Sequence, residues 1–191
     1  LGMRGIHDSG MLGGNNAAEK NKILEKVLSE QRNMLSKIKK MPVENMATQI
    51  VLYKAVLDLY NAGMKIPDDV SIVWCDDNYG YITRLSNEEE QKRPGGSGVY
   101  YHASYWGRPH DYLWLSTVQP GLMWYEMNKA WQNGARNIWI VNVGDIKPNE
   151  YATELFLDMA WNINETGIDD VLKHQQNWAA EQFGPQNAAE I

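Results

Sequence analysis

The run of residues 70–75 constrains the fold of this chain more than any other stretch. It reads Val-Ser-Ile-Val-Trp-Cys, so it is almost continuously apolar and has the length of one β-strand. A strand with apolar side chains on both faces indicates a parallel sheet whose two faces are covered by helices. A second apolar run, residues 137–143, follows later in the chain. Strands of this kind alternating with helical patterns predict an α/β fold built from βα units.

Hydrophobic periodicity predicts the order of the other elements. Apolar residues between Met46 and Tyr60 recur at spacings of three and four, which favours a helix over residues 42–63. About five strands are predicted, fewer than the eight of a closed barrel. The further predicted helices are residues 17–38, 86–92, 120–134, 150–161 and 168–183, and the further predicted strands are residues 1–7, 98–102 and 112–115.

Composition excludes several classes of protein. The net charge is -6, which leaves no general basic surface for nucleic acid. The single cysteine, Cys75, excludes an internal disulfide and a cysteine-rich zinc site. No apolar stretch is long enough to span a membrane. The chain has no phosphate-binding loop and no dinucleotide-binding motif, so we expect no cofactor. His7 and His102 with the aspartates could bind a metal ion, but the sequence has no HExxH or comparable cluster, so we expect none.

The aromatic residues suggest a class of ligand. The chain has 8 Trp and 10 Tyr but only 2 Phe. Tyr and Trp combine an apolar ring with a polar group, which suits half-exposed surfaces. Sugars present C–H faces surrounded by hydroxyl groups, so such residues commonly line carbohydrate clefts. A Trp-rich core is the alternative interpretation of the same composition.

Polar residues follow each predicted strand. In parallel α/β domains, the loops at the carboxyl ends of the strands carry the chemistry, so these residues are expected to meet at one edge of the sheet. Adjacent residues on an extended segment point in opposite directions, so only one of Asp76 and Asp77 is expected to face a cleft. The residues are His7, Asp8 and Ser9, then Asp76, Asp77, Asn78 and Tyr79, then His102, Ser104, Tyr105 and Trp106, then Ser116, Thr117 and Gln119, and finally Asn142, Gly144, Asp145 and Lys147.

Structural explanations remain open for these residues. Asp76 and Asp77 are also typical turn formers or helix caps, and His7 with Asp8 fits a turn pair. Glu126 lies well inside the predicted helix over residues 120–134, so it fits a helix-face residue as well as a catalytic one.

Four long segments carry a family resemblance. They are "GMRGIHDSGM" at residues 2–11, "VWCDDNYGYITRLS" at 73–86, "GVYYHASYWGRPHDYLWLSTVQPGLMWYEMNKAW" at 98–131 and "GARNIWIVNVGDIKPNE" at 134–150. In this order they resemble glycoside hydrolase family 115. The resemblance implies that residues 1–184 are the later part of a (β/α)8 TIM-barrel catalytic domain. Residues 185–191 would begin a following helical segment.

The resemblance also implies an activity. Members of the family are xylan α-1,2-glucuronidases, which release glucuronic acid or its 4-O-methyl ether and are described as inverting. Inversion requires a carboxylic acid for the leaving oxygen and a carboxylate for water, about 6.5 to 9.5 Å apart. The implied candidates for these two roles are Asp76, Asp77, Asp145 and Glu126, with Asp8 or a residue outside this chain as further options.

The uronic acid substrate requires further contacts. Its carboxylate calls for cations or hydrogen-bond donors, for which Arg84 and Arg108 are additional candidates. Its rings call for aromatic side chains. The implied substrate-binding residues are Arg4, His7, Asp8, Asn78, Tyr79, His102, Tyr105, Trp106 and Asn142.

The resemblance implies glucuronoxylan or its oligosaccharides as the partner, and secretion or a periplasmic location. A homodimer is expected for the whole protein. Binding to nucleic acid or to a membrane is not expected. Two rivals remain. In a non-catalytic carbohydrate-binding α/β domain, sugar affinity would survive loss of the aspartates. In a scaffold domain without a ligand, Asp76, Asp77, His102 and Asn142 would not converge.

Overall fold

The computed structural model of the chain describes residues 1–6, 9–107, 110–111 and 115–188, with the backbone alone at residues 106, 110 and 111. Its main sheet has four parallel strands in the spatial order β1, β2, β3, β6. A separate antiparallel ribbon is formed by β4 and β5. The strands are β1 Gln49–Leu52, β2 Ser71–Cys75, β3 Ser97–His102, β4 Trp106–Gly107, β5 His110–Asp111 and β6 Ala135–Asn142.

Helices flank the sheet, and the predicted α/β class is confirmed. The α-helices are α1 Ala17–Lys39, α2 Ala55–Asn61, α3 Pro120–Gln132, α4 Glu150–Trp161 and α5 Asp170–Phe183, and short 3-10 turns lie at Val43–Asn45, Glu90–Lys92 and Ile163–Glu165. The arrangement is consistent with part of a (β/α)8 barrel. Among the described residues, no helix is both long enough and apolar enough to cross a membrane.

The chain divides into two compact units, each assembled from separate segments. The first unit comprises Leu1–Cys75, Arg84–Val99 and Asn133–Ile138, and the second comprises Asp76–Thr83, Tyr100–Gln132 and Trp139–Ile191.

The first unit has an aliphatic core. Leu24 and Leu28 of α1 are buried with Ile50 of β1 and Ile72 of β2. Helix α1 begins where the Asn16 side chain accepts a hydrogen bond from the backbone N–H of residue 19 at 2.9 Å, which satisfies one of the unpaired donors at a helix start. The spacing of four between its two buried leucines places both on the same helix face.

The second unit has an aromatic and methionine-rich core. Tyr101 of β3 stacks on Phe156 of α4, with ring centroids 6.2 Å apart. Met123 and Met127 of α3 and Leu155 of α4 are also fully buried. These contacts join one strand to two helices and fix the positions from which the polar residues of this unit project.

The predicted helix over residues 42–63 is wrong, because β1 and α2 lie inside it. Ile50 and Leu52 are buried and alternate with half-buried neighbours, which is the pattern of a strand. Ile50 lies opposite Ile72 in the parallel pairing of β1 with β2. This pairing stabilises an extended backbone that local periodicity cannot reveal. Lys54, with a φ of 49°, ends the extended segment.

The strand predicted over residues 1–7 is also wrong, since the described residues 1–6 form no strand. The amino group of Leu1 nevertheless donates a hydrogen bond to the carbonyl oxygen of Gln49, at 2.7 Å, so the segment runs beside β1. Of the strand predicted over residues 112–115, residues 112–114 lie outside the described residues. Residues 185–188 form a turn, and the helical segment expected over 185–191 stays a prediction.

The helix predicted over residues 86–92 is reduced to the 3-10 turn at Glu90–Lys92. Asn87 and Glu90 exchange hydrogen bonds, each side chain accepting from the backbone N–H of the other at 2.9 Å. A capped turn followed by Pro94 leaves no room for a longer helix, because proline disfavours helical geometry in the residue before it.

Replacement of Ile50 by alanine tests the position of β1. We expect Ile50→Ala to lower the free energy of unfolding by about 2 to 5 kcal/mol, because the side chain is fully buried. Val51→Ala, at a half-buried position of the same strand, is the matched control and should cost about 1 kcal/mol or less. Urea unfolding measures both. Equal losses would contradict the alternating burial.

Candidate active site

Asp76 follows β2 directly and is buried, with none of its side chain exposed. One carboxylate oxygen, Oδ1, accepts from the backbone N–H of His102 at 3.0 Å and lies 2.6 Å from Nδ1 of the same residue. The other, Oδ2, accepts from the backbone N–H groups of Asn78 at 2.9 Å and Gly80 at 3.3 Å. Asp76 therefore joins the exit of β2 to the end of β3.

Asp77, the next residue, is exposed. Its Oδ1 accepts from the backbone N–H groups of Tyr79 at 2.9 Å and Tyr81 at 3.2 Å. Asn78 and Gly80 have φ angles of 73° and 90°, so the backbone turns back at both. The two adjacent carboxylates thus face opposite environments, and both also act as turn formers.

His102, Tyr105 and Asn142 lie in one connected network. The His102 ring is buried between the rings of Tyr100 and Tyr105, with centroids 5.1 and 5.6 Å away. Asn142, the last residue of β6, donates from Nδ2 to the Tyr100 hydroxyl at 2.9 Å. Its carbonyl oxygen accepts from the backbone N–H of Ala103 at 2.9 Å. Asp76 thus contacts His102, and Asn142 is linked to His102 through Tyr100.

Glu126 of α3 is buried and faces the loop that follows β2. Its Oε2 accepts from the backbone N–H of Ile82 at 2.9 Å and forms an ion pair with Lys129. The Lys129 ammonium also donates to the Ile82 carbonyl oxygen at 3.0 Å. Glu126 is therefore buried against this loop rather than placed on an exposed helix face.

Tyr101 lies beneath the same loop. Its hydroxyl donates to the Gly80 carbonyl oxygen at 2.9 Å, and its side chain is fully buried. Burial raises the pKa of the phenol well above its usual range, and the nearby charges of Asp76 and Glu126 raise it further. The phenol thus remains a hydrogen-bond donor over the whole neutral range.

Asp145 lies in the loop after β6 and is exposed. The Asn149 side chain holds this loop by donating to the carbonyl oxygens of Val143 at 3.2 Å and Asp145 at 3.4 Å. The Asp145 carboxylate is therefore presented by a backbone that Asn149, the residue before α4, keeps in place.

Two of the arginine candidates, Arg4 and Arg84, belong to the first unit. The guanidinium of Arg4 lies 4.8 Å from the centre of the Tyr53 ring, beside a cavity of about 280 Å³ with a mostly apolar lining. Arg84 forms an ion pair with Glu90 at 2.6 Å and stacks on the Trp74 ring at 4.6 Å. His7, Asp8, Arg108 and the Trp106 side chain lie outside the described residues.

One group of side chains in the described part of the chain has the composition of a metal site. Ligand atoms of Glu154, Asp158 and His174, on α4 and α5, lie within 4.8 Å of one another. Nε2 of His174 lies 2.9 Å from Oδ2 of Asp158. A histidine–carboxylate pair between two packed helices explains this proximity, so we assign no metal ion to it.

Sequence reasoning missed several residues that build this site. Tyr81, Tyr100, Tyr101 and Lys129 hold or extend the network, yet none was a candidate. Tyr100 and Tyr101 alternate along β3, which was a usable signal for one polar and one core position. Lys129 contacts a backbone carbonyl 47 residues away, and no local pattern encodes such a contact.

A family model described as glycosyl hydrolase family 115 matches residues 1–191. Among solved structures, one similar chain is described as a novel family GH115 4-O-methyl-α-glucuronidase with specificity for decorated arabinogalactans. It is 46% identical, with a TM-score of 0.91 over 100% of this chain and 25% of its own. A comparison with the curated proteins gives no match.

The parallel α/β fold, with polar residues after its strands, is consistent with part of a (β/α)8 barrel domain. The chain belongs to glycosyl hydrolase family 115, and the predicted resemblance is confirmed. It spans a quarter of the length of the similar solved chain.

Replacement of Tyr101 by phenylalanine tests the buried phenol. We expect Tyr101→Phe to lower the free energy of unfolding at neutral pH by about 1 to 3 kcal/mol, because the Gly80 carbonyl loses its donor. Urea unfolding measures this loss. Tyr81→Phe, at an exposed position of the same unit, is the control and should change it little.

The same variant has a pH signature of definite sign. In the unfolded chain a tyrosine ionises near pH 10, whereas the native Tyr101 keeps its proton because its pKa is raised. Above about pH 10 the native state therefore binds more protons, and the free energy of unfolding falls as the pH rises. Urea unfolding from pH 8 to 11 should show a smaller fall in Tyr101→Phe than in the wild type. Parallel curves would contradict the raised pKa.

Proposed function

We propose that the protein carrying this chain is a glycoside hydrolase that removes α-linked glucuronic acid, or its 4-O-methyl ether, from a polysaccharide. The observation that carries the proposal is the 46% identity, over all of this chain, to a 4-O-methyl-α-glucuronidase of the same family. The carboxylates and tyrosines at the ends of β2, β3 and β6 are the side chains that such a reaction uses. No cofactor is required, because carboxyl groups alone perform both proton transfers.

The reaction inverts the anomeric centre in this proposal. A carboxylic acid protonates the leaving oxygen, and a carboxylate removes a proton from the attacking water. Both groups must reach the sugar, which favours exposed carboxylates over buried ones. Asp77 and Asp145 are exposed, whereas Asp76 and Glu126 are buried. We therefore assign one proton-transfer role to Asp77, with Asp145 or a residue outside this chain as its partner.

Substrate contacts are proposed for the tyrosines around this loop. Tyr79 is about half exposed and Tyr105 is partly exposed, so each can place a ring face against the C–H face of a sugar. Asn142 and Asn78 offer amide groups to sugar hydroxyls. Arg84 pairs with Glu90 through Nη2 alone, and its role toward the uronic acid carboxylate stays a prediction. The role of Arg4 stays a prediction.

The polysaccharide is either a glucuronoxylan or a decorated arabinogalactan. The first follows from the residues that resemble xylan α-1,2-glucuronidases, and the second from the specificity of the similar solved chain. A polymer of this size is met outside the cytoplasm, so we propose a secreted or periplasmic protein. A homodimer of the whole protein also stays a proposal.

Replacement of the two exposed carboxylates tests the proposal. With glucuronoxylan and arabinogalactan as substrates, we expect Asp77→Asn to lower the release of glucuronic acid by at least about 10²-fold, because a proton-transfer group is lost. Asp145→Asn should do the same if Asp145 is the partner. Glu89→Gln, an exposed carboxylate of the first unit, is the control and should retain full activity.

The alternative is a carbohydrate-binding domain without turnover. In that case the wild type and Asp77→Asn would both bind the polysaccharide, and neither protein would release uronic acid. A third outcome is that the wild type releases sugar and that Asp77→Asn and Asp145→Asn both do so equally well. The protein would then be a glycoside hydrolase, but these two residues would not be its proton-transfer groups.

A further inference from the structure

The loop between β2 and residue 83 is held by hydrogen bonds to its backbone. Each backbone N–H group from residue 77 to residue 82 has an acceptor within this unit. Side-chain carboxylates provide most of these acceptors. The acceptors, in order along the loop, are the carbonyl oxygen of Tyr81, then the carboxylates of Asp76, Asp77, Asp76, Asp77 and Glu126.

Two carbonyl groups of the loop are held from the opposite direction. The Tyr101 hydroxyl donates to Gly80, and the Lys129 ammonium donates to Ile82. Tyr101 of β3 therefore holds the middle of the loop, and Lys129 of α3 holds its far end. Asp76 binds the N–H groups of Asn78 and Gly80 nearer its beginning. A backbone with this many fixed groups is preorganised, which is what a site needs if it is to position a substrate.

The Asp76 carboxylate has no capacity left for a substrate. A carboxylate has about four acceptor positions, two on each oxygen. Oδ1 faces the backbone N–H and Nδ1 of His102, and Oδ2 faces the N–H groups of Asn78 and Gly80. A sugar hydroxyl or a water molecule could reach it only by displacing one of these four contacts.

Glu126 is occupied in a comparable way. Its Oε2 takes both the Ile82 N–H and the Lys129 ammonium, and its side chain is only 3% exposed. The side chains that the loop itself carries are more exposed to solvent than Glu126. Tyr79 and Tyr81 are 47% and 53% exposed, and Asp77 is exposed too. The buried carboxylates face the backbone and Lys129, whereas Asp77 accepts two backbone N–H groups and is also exposed to a ligand.

We propose that Asp76 and Glu126 are positioning residues, which hold the loop of residues 77–81 in the shape that binds the uronic acid substrate, and that neither transfers a proton. The inference rests on the proposed function and deepens it. It also adds Tyr81 to the substrate-contacting residues, because the held backbone presents its ring beside that of Tyr79.

Conservative replacement of Glu126 gives the decisive test. Glutamine keeps an oxygen for the Ile82 N–H, so Glu126→Gln should retain kcat within about 10-fold, whereas Glu126→Ala should lose at least about 10²-fold. A proton-transfer role would make the two variants equally inactive and would overturn the proposal. Glu150→Ala, which breaks a surface ion pair with Lys147, is the matched control and should have no effect.

The pH profile of kcat/KM separates positioning from proton transfer. We expect both limbs of the profile to persist in Glu126→Gln and in the slower Asp76→Asn, because neither group donates or accepts the transferred proton. Loss of a limb in either variant would overturn the proposal. Tyr81→Ala should raise KM with little change in kcat, since it removes a binding contact alone.

Amide hydrogen exchange and ligand binding make the outcome independent of turnover. The Ile82 amide should be protected in the wild type and in Glu126→Gln, and should exchange rapidly in Glu126→Ala. If no sugar is released, binding of D-glucuronic acid followed by NMR decides the matter. Binding that Glu126→Ala weakens at least about 10-fold would sustain the positioning role while the hydrolase proposal fails. Equal binding by wild type and Glu126→Ala, or no binding at all, would overturn the inference.

Discussion

The buried carboxylate of Asp76 is the interaction on which the rest of the site depends. A carboxylate without partners in an apolar interior would be strongly destabilising, so its burial requires donors on every side. The chain supplies them from two segments that are 26 residues apart, the loop after β2 and the end of β3. Once these donors converge, the direction of the loop and the orientation of the His102 ring are both determined.

The fold was largely predictable from the sequence, because its signals are local. The apolar run of β2 predicts a buried strand, and the amphipathic pattern of α1 predicts a helix, without reference to the rest of the chain. The segment from residue 42 to residue 63 could not be predicted in this way. Its apolar spacing fits a helix as well as a strand followed by a helix, and only pairing with β2, more than 20 residues away, decides between them.

The candidate site was predictable in outline and not in its internal roles. The sequence indicated that polar residues after the strands would meet; Asp76 does contact His102, and Asn142 reaches His102 through Tyr100. It indicated that only one of Asp76 and Asp77 would face a cleft, but not which of the two, and it did not indicate that Glu126 is buried. Glu126 binds a backbone group 44 residues away, and this contact exists only because α3 packs beneath the loop. Burial is a property of the packed chain, and the chemistry of a carboxylate follows from its burial.

Asp76 and Asp77 illustrate how one sequence motif divides into two functions. Both accept backbone N–H groups of the same loop, yet one is enclosed and the other faces solvent. A buried ionic group contributes little net stability compared with an apolar one, so stability alone is a poor reason for two carboxylates beneath one loop. Precise placement of a loop is a better reason, because only charged acceptors bind several N–H groups strongly at once. The buried pair fixes the backbone from the interior, Asp77 adds two contacts from the exposed side, and the loop therefore presents its exposed side chains in one fixed shape.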